Sequence, residues 1–303
     1  MSLVSNTFQL SIVAAPTGAL PTWRQGQAIG EWRQISGTNI SIAAATPNPV
    51  PTGPGSPNGK VDAWTSFAVD PVTSIVYSPG GGGHVDYAGN EVNALPLANN
   101  SPSWTMARNT TTNANLVENA DWYADGRPNS VHHYYAVTFD PVGRRIYSFG
   151  GAKWSNGGNT PRTASYNIAG GDWDPQATNP NTPTAMFTGD GQIPAVCGDP
   201  RTGSTGGNAY FFSASTVYKW NRATKTFSTV RNGTFSPPNL NAYYTCSAWD
   251  TARNRIFILG GGNNYQAHHL YTPDSDSIAF PTLTGARATE ALTTSSGGLV
   301  YVP

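Results

Sequence analysis

The sequence predicts an all-β chain assembled from one repeated, four-stranded antiparallel sheet. Three observations predict it. Helical periodicity is nearly absent across the 303 residues, short β-branched and aromatic runs end at Asp-Pro, Gly-Gly and Asn-Gly, and one segment pattern recurs along the chain.

The recurrence is plainest in AWTSFAVDPVTSIVYSPGG (63–81), YYAVTFDPVGRRIYSFGG (134–151) and YYTCSAWDTARNRIFILGG (243–261). Each holds an apolar strand, an Asp that opens a turn, an aromatic seven residues after that Asp (Tyr77, Tyr147, Phe257), and a diglycine. The Asp carboxylate can accept backbone N–H groups ahead of it, and a following Pro presets φ for the turn. IPAVCGDPRTGSTGGNAYFF (193–212) is a weaker copy with a longer turn, and a fifth begins in ATEALTTSSGGLVYVP (288–303), with Thr294 in place of the Asp. Each of the first four copies is followed by another strand and then a short one carrying an aromatic, at Trp104, Trp173, Phe227 and Phe280.

Four strands per repeat, with Asp markers at 70, 140, 199 and 250, match the blade of a β-propeller. The expected organisation is a single domain over 1–303. Blades are expected near 61–108, 129–176, 185–232 and 241–285, with a partial one at 286–303. About five blades' worth of sequence fits a five-bladed ring or a truncated six- to seven-bladed one. Within the N-terminal segment 1–60, EWRQISG (31–37) fits the outer-strand pattern through Trp32 and is expected to close the last blade, an arrangement that removes two exposed edges; 7–16 is expected to add a further strand.

With those residues in view, the strand, Asp-Pro turn, strand, Gly-Gly, strand, Trp pattern resembles Kelch-type repeats, including the galactose-oxidase-like propellers, over about 61–303. GGGHVDYAGNEV (81–92) is similar to a blade signature of bacterial and phage propellers. The resemblance implies the fold and leaves function open, because propellers host many activities. The third copy departs from it by lacking a diglycine after AYFF, and the fifth by lacking the Asp.

Charge narrows the partners. Lys plus Arg equals Asp plus Glu at 17 each and there is no basic run, so no nucleic acid or anionic lipid surface is expected as a partner. No run approaches the ~18 apolar residues of a membrane span, so no membrane insertion is expected. Only 11% of residues are charged, and the surface polarity of amides and hydroxyls suits a poly- or oligosaccharide, or a surface protein, in an extracellular or virion setting. The start, MSLVSNTFQLSIVAAPTGALP, has no Lys or Arg ahead of its short apolar patch, so a secretory leader of the usual form is not expected. Cys197 and Cys246 are expected to be buried free thiols.

The stretch SPGGGGHVDYAGNEV (78–92) raises three chemistries. A phosphate loop needs its glycines to lead into a helix, usually with Gly-Lys-Ser/Thr, and this one runs into a strand. A metal site would use His84, Asp86 and Glu91, but no second His stands at ligand spacing. The glycines are better explained as the diglycine of the repeat, where a side chain would collide with the neighbouring blade. No metal and no cofactor are expected.

Topology sorts the loops. In an up-and-down blade, the loop between strands two and three and the link to the next blade share one face; the Asp turns share the other. The first face receives all five histidines, His84, His132, His133, His268 and His269, together with Asp86, Tyr87, Trp122, Tyr123, Tyr134, Lys153, Trp154, Arg162, Tyr243 and Tyr244. It also carries the long insert 109–131 and the loop 152–163, and long loops on a rigid scaffold are where binding usually resides.

The leading expectation is a carbohydrate- or surface-ligand-binding propeller. Its site would draw on His84, Asp86, Tyr87, Trp122, His132, Trp154, Tyr244, His268 and His269, with aromatic planes stacking on sugar rings. The alternative is a polysaccharide lyase: His84 or His133 as base, Tyr134 or Tyr243 as acid, and Arg162 or Lys153 neutralising a uronate carboxylate. A protein-docking or virion structural role is a third expectation. Copper oxidation of the galactose-oxidase kind is disfavoured, because Cys197 and Cys246 precede Asp turns on strands that run away from the histidine face.

Overall fold

The computed structural model describes residues 20–26, 34–40, 42–61, 65–81, 86–155, 157–187, 193, 195–213, 216–233, 245–260 and 267–280. Among these, four antiparallel sheets of four strands repeat along the chain. The first holds β1 (Ala68–Asp70), β2 (Ile75–Pro79), β3 (Val92–Pro96) and β4 (Thr105–Arg108). A two-stranded ribbon, β5 (Val131–His132) with β8 (Ala152–Lys153), stands over the second sheet, which holds β6 (Val137–Asp140), β7 (Arg145–Phe149), β9 (Thr163–Asn167) and β10 (Asp172–Trp173). The third holds β11 (Val196–Gly198), β12 (Ala209–Phe212), β13 (Thr216–Asn221) and β14 (Thr226–Asn232). The fourth holds β15 (Thr245–Asp250), β16 (Arg255–Gly260), β17 (Ala267–Thr272) and β18 (Ser277–Ala279).

The first strands β1, β6, β11 and β15 lie successively against one another, so the sheets fan outward from a shared inner edge. This is a β-propeller, the fold class expected from the repeat. The partial fifth blade at 286–303 and segment 7–16 lie outside the described residues. Of 31–37, expected as a closing strand, only 34–37 are described. They form a turn rather than a strand; Gly37 stands at φ +77°, and Ile35 packs on the first sheet, whose Trp104 indole donates to the Thr38 carbonyl (3.0 Å). No helix among the described residues is long and apolar enough to cross a membrane.

The Asp turns work as their chemistry predicts. Asp70 Oδ1 accepts the Val72 N–H (3.0 Å), and Asp140 Oδ1 accepts those of Val142 and Gly143 (2.9 Å each). Four residues after the Asp the backbone turns left-handed, at Ser74 (φ 56°), Arg144 (φ 52°) and Asn254 (φ 50°), the geometry that lets a hairpin follow the strand twist. An arginine then links successive sheets on this face. Arg144 Nη2 reaches Asp70 Oδ2 (2.5 Å), Arg222 Nε lies 3.9 Å from Asp140, and Arg201 joins Asp199 (2.7 Å) to Asp274 (2.8 Å).

Between sheets, alternate residues bury against the neighbour. The aromatic seven after Asp70 and after Asp140 faces the next sheet: Tyr77 meets Tyr166 (ring centroids 6.5 Å), and Tyr147 meets Trp220 (5.7 Å). In the third sheet the longer turn displaces the spacing, but Tyr210 takes the same position, opposite Cys197, and meets Trp249 and Tyr271. The outer aromatic pairs with the strand inside it as Tyr166↔Trp173 and Trp220↔Phe227. In the fourth sheet that place belongs to Ile278, opposite Tyr271, whereas Phe280 is exposed beyond the strand end. Cys197 and Cys246 are free and buried.

The N-terminal segment covers the remaining face of the first sheet. Ile40 and Ala45, with Ile35, Ile42 and Val61, pack on Leu95, Leu97 and Trp104. Lys60, wholly buried, drives its ammonium between Glu91 Oε1 (2.8 Å) and the Asn93 side-chain oxygen.

Candidate functional site

The insert 109–131 and loop 152–163 fold over the boundary between the first and second sheets, and most of the site residues expected from the sequence are packed beneath or within them. Asn129 and Ser130 at the end of the insert lock it down. Ser130 Oγ donates to the Tyr87 carbonyl (2.6 Å), and the Trp154 N–H donates to the Ser130 carbonyl (3.3 Å). Tyr123, also in the insert, donates its hydroxyl to the Ala88 carbonyl (2.6 Å).

His133 is enclosed at the start of the link into β6. Gly81 lies so close that a Cβ there would sit 2.9 Å from the imidazole Nδ1, which explains the second glycine of the diglycine at this position. Burial, then the charge of Arg162, lowers the His133 pKa to about 3, so the ring is neutral at ordinary pH. Arg162, also buried, donates from Nη2 to the Asn129 carbonyl (2.6 Å). Tyr87 is wholly buried and donates to Glu91 Oε2 (3.3 Å); burial, then the Glu91 charge, pushes its phenol far above the usual range. Trp154 is buried with its ring edge 3.3 Å from where a Cβ on Gly53 would stand, and Trp122 is half-buried against the core between sheets one and two.

At Asp86 a titratable pair meets solvent through its carboxylate. His132 Nε2 lies 2.7 Å from Asp86 Oδ1, with the carboxylate side chain 37% exposed, and the Tyr134 ring stands edge-on to His132 at 6.1 Å. Both Asp86 (φ 55°) and Tyr134 (φ 51°) have left-handed backbones, which turn these side chains toward the shared loop region. His268 and His269 lie at the start of β17, and His269 is buried in the fourth sheet beside Phe280 (5.0 Å). His84, Tyr243 and Tyr244 lie outside the described residues, as does the His268 side chain.

The metal reading of His84, Asp86 and Glu91 finds two of its groups occupied: Asp86 by His132, and Glu91 by Lys60 and Tyr87. Among the described residues no three His, Cys, Asp or Glu side chains form a metal-binding group.

A cleft that the sequence reading missed lies at the outer boundary of sheets one and two. It is open, about 360 Å³, and lined by Arg108, Asn109, Thr110, Thr111, Thr112, Asn115, Asp125, Arg127, Gly171 and Asp172. Arg108 Nε (2.5 Å) and Arg127 Nη2 (2.6 Å) converge on the Asp172 carboxylate, and Arg127 Nη1 also reaches Asp125 (3.2 Å). Partial burial alone would raise the Asp172 pKa; hydrogen bonds from Arg127 and Arg108 outweigh it and hold the carboxyl at about 2. Two arginines and two aspartates leave the cleft without net charge, surrounded by hydroxyls and carboxamides. The signal in the sequence was the run RNTTTNAN (108–115), hidden because its partners Arg127 and Asp172 are distant along the chain.

The chain matches no family model and no curated protein sequence. The architecture therefore stands on the geometry above: an all-β propeller of four-stranded sheets.

Proposed function

We propose that this propeller is a binding module for a neutral, hydroxyl-rich ligand, a poly- or oligosaccharide, taken up in the cleft between the outer strands of sheets one and two. The observation that carries the reading is the lining. Arginine and aspartate neutralise one another, which holds their N–H and oxygen atoms in fixed directions, while Thr and Asn side chains offer both donors and acceptors. Such a surface exchanges hydrogen bonds with sugar hydroxyls at little electrostatic cost. The repeat is read as Kelch type, supported by the Asp turn, the diglycine and the outer aromatic.

The test is a polysaccharide panel scored for binding and for release of unsaturated ends by absorbance. The expected result is binding without product, weakened about tenfold by Arg127→Ala or Asn115→Ala, the loss of roughly one hydrogen bond each. Binding unaffected by both substitutions overturns the assignment to this cleft.

A second reading, β-elimination on a uronate, is favoured by the His132–Asp86 pair, since a carboxylate that orients an imidazole is the usual support for a general base. It puts His132 in place of His133, which burial holds neutral and poorly basic, beside His84 as candidate base. Product that disappears in His132→Ala would establish it.

A further inference from the structure

Arg162 stands immediately ahead of β9, where its carbonyl accepts the Gly150 N–H (2.8 Å) and fixes it at the root of loop 152–163. Its side chain makes one hydrogen bond, from Nη2 to the Asn129 carbonyl, while Nε and Nη1 have no acceptor. Three N–H groups of a buried cation are thus unmatched.

The charge lacks an ion pair as well, although the Asp121 carboxylate acts on it from a distance. Asp121 is engaged by Lys153 (3.7 Å), Glu91 by Lys60, and Asp125 and Asp172 by Arg127; among the described residues no carboxylate pairs with Arg162. Burial lowers its pKa to about 10, which still leaves the guanidinium cationic at neutral pH. Its neighbour His133 is neutral and supplies no counter-charge; that ring's Nδ1 is also without a partner. A buried cation without a partner strongly destabilises a fold, so the residue calls for an anion. Water would satisfy the N–H groups but not the charge.

We propose that the Arg162 guanidinium, at the base of the insert 109–131, is the receptor for one small monovalent anion, a halide or a carboxylate. The proposal is independent of the cleft and of what the cleft binds.

Thermal unfolding of the full chain, at constant ionic strength, tests it by exchanging gluconate, too bulky for an enclosed site, for chloride, bromide, formate or acetate. A small anion at a hundred times its Kd raises the midpoint on the order of 5 °C. Stabilisation by halides alone assigns a spherical anion, and by formate and acetate alone a carboxylate; either supports the proposal. In Arg162→Met the anion dependence disappears, whereas Arg162→Lys keeps part of it. Should Arg162→Met not fold, bromide anomalous scattering from wild-type crystals decides, with a peak within hydrogen-bonding distance of Nε or Nη1 expected. Equal midpoints in all salts, or bromide-soaked crystals with no such peak, overturn it.

Discussion

Between about pH 6.5 and 3 the unfolded chain binds a proton at His133 that the folded chain does not, because burial lowers the folded pKa to about 3. Stability therefore falls as the pH drops through that window, by up to about 1.4 kcal/mol per pH unit from this one group. Urea unfolding of wild type and His133→Gln between pH 7.5 and 4 isolates it, since the carboxylates contribute equally to both; superimposable pH slopes would refute the assignment. Ser74 poses a different single-residue question. It holds a left-handed backbone (φ 56°) that a side chain disfavours, and the equivalent turn after Asp250 uses Asn254. Ser74→Gly is expected to stabilise the protein by about 0.5–1 kcal/mol, a rise of about 2 °C in Tm; an unchanged or lower midpoint would show that the turn carries no such strain.

At the scale of the element, the Asp turn is the unit that the sequence displays most openly. Its carboxylate, its left-handed fourth position and its distant aromatic are all local, so Asp70, Asp140 and Asp250 with Tyr77, Tyr147 and Phe257 announce the strands on either side. In Asp140→Ala the N–H groups of Val142 and Gly143 lose their acceptor inside the turn. The cost is expected to be about 2–3 kcal/mol in chemical denaturation, and a loss below 0.5 kcal/mol would mean that water replaces the carboxylate. What is not local was not legible. Tyr210 was hidden by the longer turn after Asp199, and Ile278, not an aromatic, fills the outer place in the fourth sheet. The candidate site was legible only as a face: His132, His133 and Asp86 do converge, yet their burial depends on how an insert without repeat pattern folds back. The Arg108–Asp172–Arg127 cluster joins three separate segments, and neither composition nor spacing could have paired them.

For the whole molecule, the Lys60–Glu91 pair ties the N-terminal segment to the first sheet from within. Both groups are buried, so removing one leaves the other charged and unsolvated. Lys60→Met alone is expected to cost about 3–5 kcal/mol, while the double substitution Lys60→Met with Glu91→Gln recovers most of that loss. Additive losses in calorimetry would show that the two charges do not interact.

That buried pair also reaches beyond its own segment. Glu91 carries the Tyr87 hydroxyl, the Tyr87 carbonyl carries Ser130, and Ser130 anchors the insert next to the Asp86–His132 pair, whose carboxylate meets solvent. Clipping the backbone anywhere between residues 50 and 60 would thus unsettle a loop some fifty to eighty positions downstream, so the leading stretch serves as foundation for the surface on which recognition is proposed.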